Sequence, residues 1–134
     1  MKKAFIDTSG WVALFVEKDI KHKETVEIFD QLKKDKVSIY TSDYVVDETI
    51  TTIMVRGGHD KSVIAGNVLF ASELIKMVYV APEYIENTWQ LYQKYKYKEF
   101  SFTDVSCFSI MKNLGISKAV SFDKEFVKVG IELF

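Results

Sequence analysis

A chain of 134 residues, 48% hydrophobic and 28% charged, has the make-up of one globular domain spanning 1–134, which excludes a disordered or fibrous protein. A net charge of −1 gives no bulk electrostatic sign of nucleic-acid binding, and a single cysteine, Cys107, excludes an internal disulfide framework. No apolar run of about 18 residues occurs and Met1-Lys2-Lys3 leads straight into a strand pattern, so neither a membrane span nor a signal peptide is expected; a cytoplasmic protein is.

Lys3 to Ile6 reads as a short buried strand, and Asp7-Thr8-Ser9-Gly10 follows at its C-terminal end. Trp11 to Val16 is predicted as a first helix, with Thr8 or Ser9 available as its cap. Lys21 to Asp35 carries Val26, Phe29 and Leu32 at helical spacing and is expected on the surface. Val37 to Tyr40 is a second strand. Thr41-Ser42-Asp43 then supplies cap residues for a helix with Val46, Ile50, Ile53 and Met54 as its stripe, ending at Gly57-Gly58. Asp60 to Lys76 is predicted as a further helix capped by Asp60. Met77 to Val80 is a third strand, and Pro82 opens a helix that uses Ile85, Trp89 and Tyr92. Ser101 or Thr103 caps the next helix, which Gly115 ends after Leu114. Lys118 to Phe122 is a fourth strand, and Val129 to Phe134 a fifth. Strands alternating with helices, without hairpin signals, predict an α/β fold with a parallel sheet covered on both faces.

Asp7 and Asp123 each follow an apolar strand, so a parallel sheet brings both to the edge where ligands of open α/β sheets collect. Asp104 opens a helix whose Cys107, Phe108 and Met111 follow at i+3, i+4 and i+7, which turns its carboxylate inward. Each of these acids also has a plain local explanation, as a turn former, a cap or a partner of the helix dipole. On the third helix, periodicity does not choose between Asp47 and Glu48. Several carboxylates in one pocket require a compensating cation, and hard oxygen ligands suit Mg²⁺ or Mn²⁺, one or two ions. Such a site activates water and neutralises a scissile phosphodiester. His22 and His59 fall in polar segments and give no zinc set.

The motifs Phe5-Ile6-Asp7-Thr8-Ser9, Val45-Val46-Asp47-Glu48-Thr49, Phe102-Thr103-Asp104-Val105 and Ser121-Phe122-Asp123-Lys124-Glu125-Phe126 make the chain resemble a PIN-domain nuclease, most like the toxin of VapBC-type toxin–antitoxin pairs. The resemblance covers essentially the whole chain. It implies a three-layer α/β/α fold around about five parallel strands, with Asp7, Glu48, Asp104 and Asp123 as the catalytic, metal-binding quartet. It is this pattern that prefers Glu48 to Asp47. It also implies that Thr8 or Ser9, and Thr103, hydrogen-bond the acids, and that the activity is Mg²⁺- or Mn²⁺-dependent endoribonuclease cleavage. Its further implications are a homodimer and a small antitoxin partner.

Two readings from the residues concern substrate and partners. Lys94, Tyr95, Lys96, Tyr97 and Lys98 interleave cations with rings, a pattern that suits phosphates and unpaired bases, although it also suits a helix end. Arg56, the only arginine among 18 basic residues, is a second phosphate contact or a solvated surface charge. The helix bearing Val63, Ile64, Val68, Leu69, Phe70 and Leu74 is apolar on more than one face, which fits either burial or a partner. Alternatives to the toxin reading are a housekeeping RNA-processing nuclease and a non-catalytic module that binds RNA or protein. Phosphoryl transfer to Asp7 finds neither the second aspartate two residues on that a haloacid-dehalogenase-like protein needs nor the paired acids and late lysine of a receiver.

Overall fold

The computed structural model describes residues 2–96 and 99–134. Tyr97 and Lys98 lie outside them. Five strands, β1 (Lys3–Ile6), β2 (Ser38–Ser42), β3 (Ile75–Val78), β4 (Lys118–Val120) and β5 (Glu132–Leu133), form one parallel sheet in the order β3-β2-β1-β4-β5. Six helices, α1 (Thr8–Phe15), α2 (His22–Lys34), α3 (Asp43–Gly57), α4 (His59–Ala71), α5 (Pro82–Lys94) and α6 (Phe102–Leu114), complete a three-layer α/β/α architecture. A 3₁₀ helix spans Lys124–Val129.

β1 is the centre of this arrangement. Ala4, Phe5 and Ile6 are fully buried, as a strand covered on both faces requires. The chain winds from β1 to β2 and β3 on one side, then returns to place β4 on the other. Phe5 pairs with Ala119 and Ile6 with Val120, so the segments after β1 and β4 leave the sheet side by side. That is the switch point where crevices open at the carboxyl ends of strands. Gly10 permits the closeness of α1 to β4: a Cβ there would stand 2.7 Å from the Val120 carbonyl oxygen.

Four expectations shift for identifiable reasons. α1 begins at Thr8, and its cap is Asp7, whose side chain accepts the Gly10 N–H. α4 stops at Ala71 and not at Lys76, because pairing of Ile75 to Val78 with Ile39 to Ser42 claims the following residues for the sheet. Gly58, at φ 95°, precedes α4 in the cap position assigned to Asp60. The predicted last strand shrinks to Glu132–Leu133, its beginning taken by the 3₁₀ helix.

Two helices also turn unexpected faces outward. α4 buries Ser62, Ala65, Gly66 and Leu69, with Gly66 fitted against Ile50 of α3, whereas Val63, Ile64, Val68 and Phe70 are exposed. On α5, Ile85, Trp89 and Tyr92 lie outside and Thr88 is the buried residue, its hydroxyl donating to the Tyr84 carbonyl. Among the described residues no helix is long and apolar enough to cross a membrane.

Candidate functional site

At the carboxyl end of β1 and β4, Asp7, Glu48, Asp104 and Asp123 line one cleft of about 330 Å³. Thr8 and Ser9 line it as well. Four different elements deliver these acids, from positions separated by 116 residues of chain between first and last. Glu48 is half-buried and faces the cleft, while Asp47 is exposed and does not line it.

Asp7 is almost fully buried and held by three donors. Ser9 Oγ and the Gly10 N–H reach Oδ1 at 2.8 and 3.0 Å, and Ser121 Oγ reaches Oδ2 at 2.6 Å. The two serines extend the network across the sheet. Ser9 Oγ accepts the Phe122 N–H at 2.8 Å, and Ser121 Oγ accepts the Asp123 N–H at 3.1 Å. Asp123 in turn caps the 3₁₀ helix by accepting the Glu125 N–H at 3.0 Å. One hydrogen-bonded lattice thus fixes both carboxylates that follow the central strands.

Asp104 carries out the local role open to it and still lines the cleft. It forms a capping box with Ser101: the Ser101 N–H donates to Asp104 Oδ2 at 3.1 Å, and the Asp104 N–H to Ser101 Oγ at 3.0 Å. Two explanations that compete for this residue in the sequence are therefore compatible.

Electrostatics ties the acids together. Burial pushes the Asp7 carboxyl up to about 6 against the bonds from Ser121, Gly10 and Ser9, and the charge of Asp104 adds to the rise. Burial likewise raises Asp104 despite its bonds with Ser101, and Asp123 and Glu48 push it further. The buried Cys107 thiol is driven well up by burial and then by the charges of Asp7, Asp104 and Glu48.

An all-oxygen donor set of this charge suits a hard divalent cation. Thr8 Oγ1, buried beside the acids, has no hydrogen-bond partner among the described residues, which fits a polar group not belonging to the chain. No three His, Cys, Asp or Glu side chains among the described residues converge closely enough to cage an ion as they stand. Mg²⁺ does not demand such a cage, since it binds through one or two carboxylates and keeps several waters.

Other predicted site residues fall elsewhere. Among the described residues no hydrogen bond joins the Thr103 hydroxyl to the acids, and the residue's carbonyl accepts Ser106 Oγ at 2.6 Å. Tyr95 turns inward and meets Phe100 and Phe108 edge-on at 5.4 and 6.2 Å, so its ring belongs to the core. Lys94 is exposed beside a separate hollow between α5 and α6, and Lys96 is exposed just past α5. The predicted contacts at Tyr97 and Lys98 lie outside the described residues. Arg56 does line the cleft, in an ion pair with Asp19.

Sequence reasoning assigned no role to Ser121 or Asp19. A serine at the end of an apolar strand was the available signal for Ser121, because a buried hydroxyl needs a partner. Asp19 gives no such signal, since its importance rests on an arginine 37 positions away.

Comparison with known proteins agrees with this architecture. Over 126 residues the chain is 30% identical to the 23S rRNA-specific endonuclease VapC20 of Mycobacterium tuberculosis, across 94% of this chain and 93% of that one. The crystal structure of that protein, a sarcin–ricin loop cleaving toxin, superposes with a TM-score of 0.85 at 29% identity, covering 96% of this chain and 95% of the other. VapBC2 from Rickettsia felis shares the fold, with a TM-score of 0.72 at 11% identity over 98% and 97% of the two chains. The PIN domain family matches residues 4–132, nearly the whole length. With the sheet order, the acidic cleft and this match in agreement, the chain belongs to the PIN-domain family.

Proposed function

We propose that this protein is a metal-dependent endoribonuclease that hydrolyses RNA phosphodiester bonds, acting in the cytoplasm as the toxin of a toxin–antitoxin pair. The observation that carries the reading is the convergence of Asp7, Glu48, Asp104 and Asp123 on one cleft, each within the field of another. The similarity to VapC20, an endonuclease specific for 23S rRNA, supports RNA as the substrate class and makes a structured ribosomal RNA loop the first target to test.

In this reading the four acids hold Mg²⁺ or Mn²⁺. The bound cation neutralises their mutual repulsion and supplies Lewis acidity toward the phosphate. The chain's own contribution is alignment. Ser9, Gly10 and Ser121 fix the Asp7 carboxylate in one orientation before substrate arrives, and the Ser101 box does the same for Asp104. Side chains fixed in advance need no reorganisation at the moment of reaction. Glu48 adds a fourth carboxylate to the lining from α3.

Val63, Ile64, Val68 and Phe70 of α4, and Met54 and Val55 of α3, are exposed apolar side chains on two helices that pack together. Apolar area gathered in this way on one side of a small domain marks an association surface. We assign it to a second copy of the chain and to an antitoxin.

The reading is tested by cleavage of a panel of single-stranded and hairpin RNAs, with Mn²⁺ and with EDTA, by wild type and Asp7→Asn. Cutting that needs the metal and vanishes in Asp7→Asn is the expected result. A folded wild-type protein that takes up no Mn²⁺ and cuts nothing would instead favour a binding module.

A further inference from the structure

Besides the four acids, the cleft contains one ion pair. Arg56, in the last turn of α3, and Asp19, in the loop between α1 and α2, both line it, and Arg56 Nη1 stands 2.8 Å from Asp19 Oδ2. The other oxygen of Asp19 accepts the Lys21 N–H at 2.8 Å, so both are engaged. Burial pushes the Asp19 carboxyl up, but the Lys21 N–H and the guanidinium outweigh it and hold the group below the usual carboxylate range. The loop is tied to the segment after β4 too, because Lys21 Nζ lies over the Phe122 ring, 5.5 Å from its centroid. Asp19 is therefore a fixed anion, its side chain only 14% exposed, while that of Arg56 is 43% exposed.

Arg56 is the cation among the residues lining this cleft, and the only arginine in the chain. A partly solvated ion pair contributes little to stability, so stability is a weak reason for this placement. A guanidinium carries five donors in a planar fork, and a bond through Nη1 leaves others for a second acceptor. Phosphate is the acceptor that such a fork matches. We propose that Arg56 binds a phosphate of the RNA next to the acidic quartet, and that Asp19 is a positioning residue that aims the guanidinium into the cleft. This rests on the ribonuclease reading above and adds to it the means by which an acidic cleft attracts a polyanion.

The test compares wild type, Arg56→Ala, Arg56→Lys and Asp19→Asn. Each is measured for Mn²⁺-dependent cleavage of one RNA, for binding of that RNA in EDTA across a salt series, and for melting temperature as a check on folding. Arg56→Ala should lose about ten- to a hundredfold in kcat/KM, as for a lost charged hydrogen bond, and lower the salt slope of binding by about one. Arg56→Lys should keep the slope and recover only part of the rate, because it keeps charge without the fork. Asp19→Asn should weaken binding and lower kcat/KM about three- to tenfold, a smaller share of the same hydrogen bond. Coulomb's law alone predicts the opposite sign for that variant, since an anion has left the cleft. Wild-type rates and slope in Arg56→Ala would overturn the phosphate role. Tighter RNA binding by Asp19→Asn would overturn positioning and make Asp19 a competitor of the phosphate. If wild type and Asp7→Asn are equally inert, the ribonuclease reading has failed, and the salt slope of Arg56→Ala still decides whether Arg56 meets phosphate.

Discussion

Two regions of this molecule expose groups that are costly to leave as they are, and they deal with the cost differently. The cleft gathers carboxylates, and the outer side of α3 and α4 gathers hydrocarbon. In the cleft the cost is partly offset from within: Ser9, Gly10 and Ser121 bond to Asp7, Ser101 to Asp104, and the Glu125 N–H to Asp123. The α4 face has no counterpart, since only another surface can cover an apolar side chain. Charge can be held in a fixed geometry by a few directional bonds, while hydrophobic burial is non-directional and follows area.

The largest effect should come from the most buried acid. Asp7→Asn is expected to abolish cleavage and at the same time to stabilise the fold at neutral pH. The sign follows from the raised pKa. Between 3.8, the ordinary value, and about 6 the native protein binds more protons than the unfolded chain, so wild-type stability falls as pH rises through that window. Above it, the penalty of the buried charge amounts to about 3 kcal/mol at most. Urea unfolding at pH 7.5 and at pH 4 measures this: the advantage of Asp7→Asn should be present at the first and shrink at the second. Equal stability of the two proteins at pH 7.5 would mean that the lattice compensates the charge completely.

Next in size is the steric basis of the lattice. Gly10→Ala puts a methyl group 2.7 Å from the Val120 oxygen and 3.1 Å from Ile6 Cγ2, forcing α1 away from β4. The expected loss is about 1–3 kcal/mol. Gly66→Ala, in α4, meets only the Ile50 side chain at 3.4 Å and should be neutral or gain up to about 1 kcal/mol from helix propensity. Chemical denaturation of both variants checks the contrast, and similar changes in the two would remove the distinction drawn between a close backbone approach and an ordinary helical contact.

The smallest effect on the fold belongs to the outer face. Ile64→Glu should change monomer stability by no more than about 0.5 kcal/mol, because the residue is 62% exposed. Sedimentation should nonetheless show that the variant self-associates less than wild type. A marked loss of stability with unchanged association would give that face a structural role and leave the association surface elsewhere.

The legible parts of this protein were those governed by near neighbours. β1 matches its expected span, and the glycine stop at Gly115 and the Ser101 cap are where local chemistry puts them. Boundaries failed where the sheet competed with a helix, as at Ile75, whose fate depended on pairing with Ile39. The Tyr/Lys run left Tyr95 open between base stacking and packing, because a ring's partners, here Phe100 and Phe108, are not fixed by its neighbours in sequence. On α5 the stripe Ile85, Trp89 and Tyr92 has helical spacing, yet the helix buries Thr88 instead. Periodicity identifies a helix more securely than it identifies the buried side.

The sequence by itself determined a parallel α/β sheet and brought Asp7 and Asp123 to its carboxyl edge, because alternation and strand ends are properties of short segments. The resemblance of four short motifs supplied the preference for Glu48. Only the tertiary structure turned Glu48 into the cleft and left Asp47 in solvent, linked the Asp7 carboxylate through Ser121 to the Asp123 N–H, and joined Asp19 to Arg56 across 37 residues. Those contacts depend on how α3, the α1–α2 loop and the β4 exit pack together, and long-range packing leaves no periodic mark on the chain.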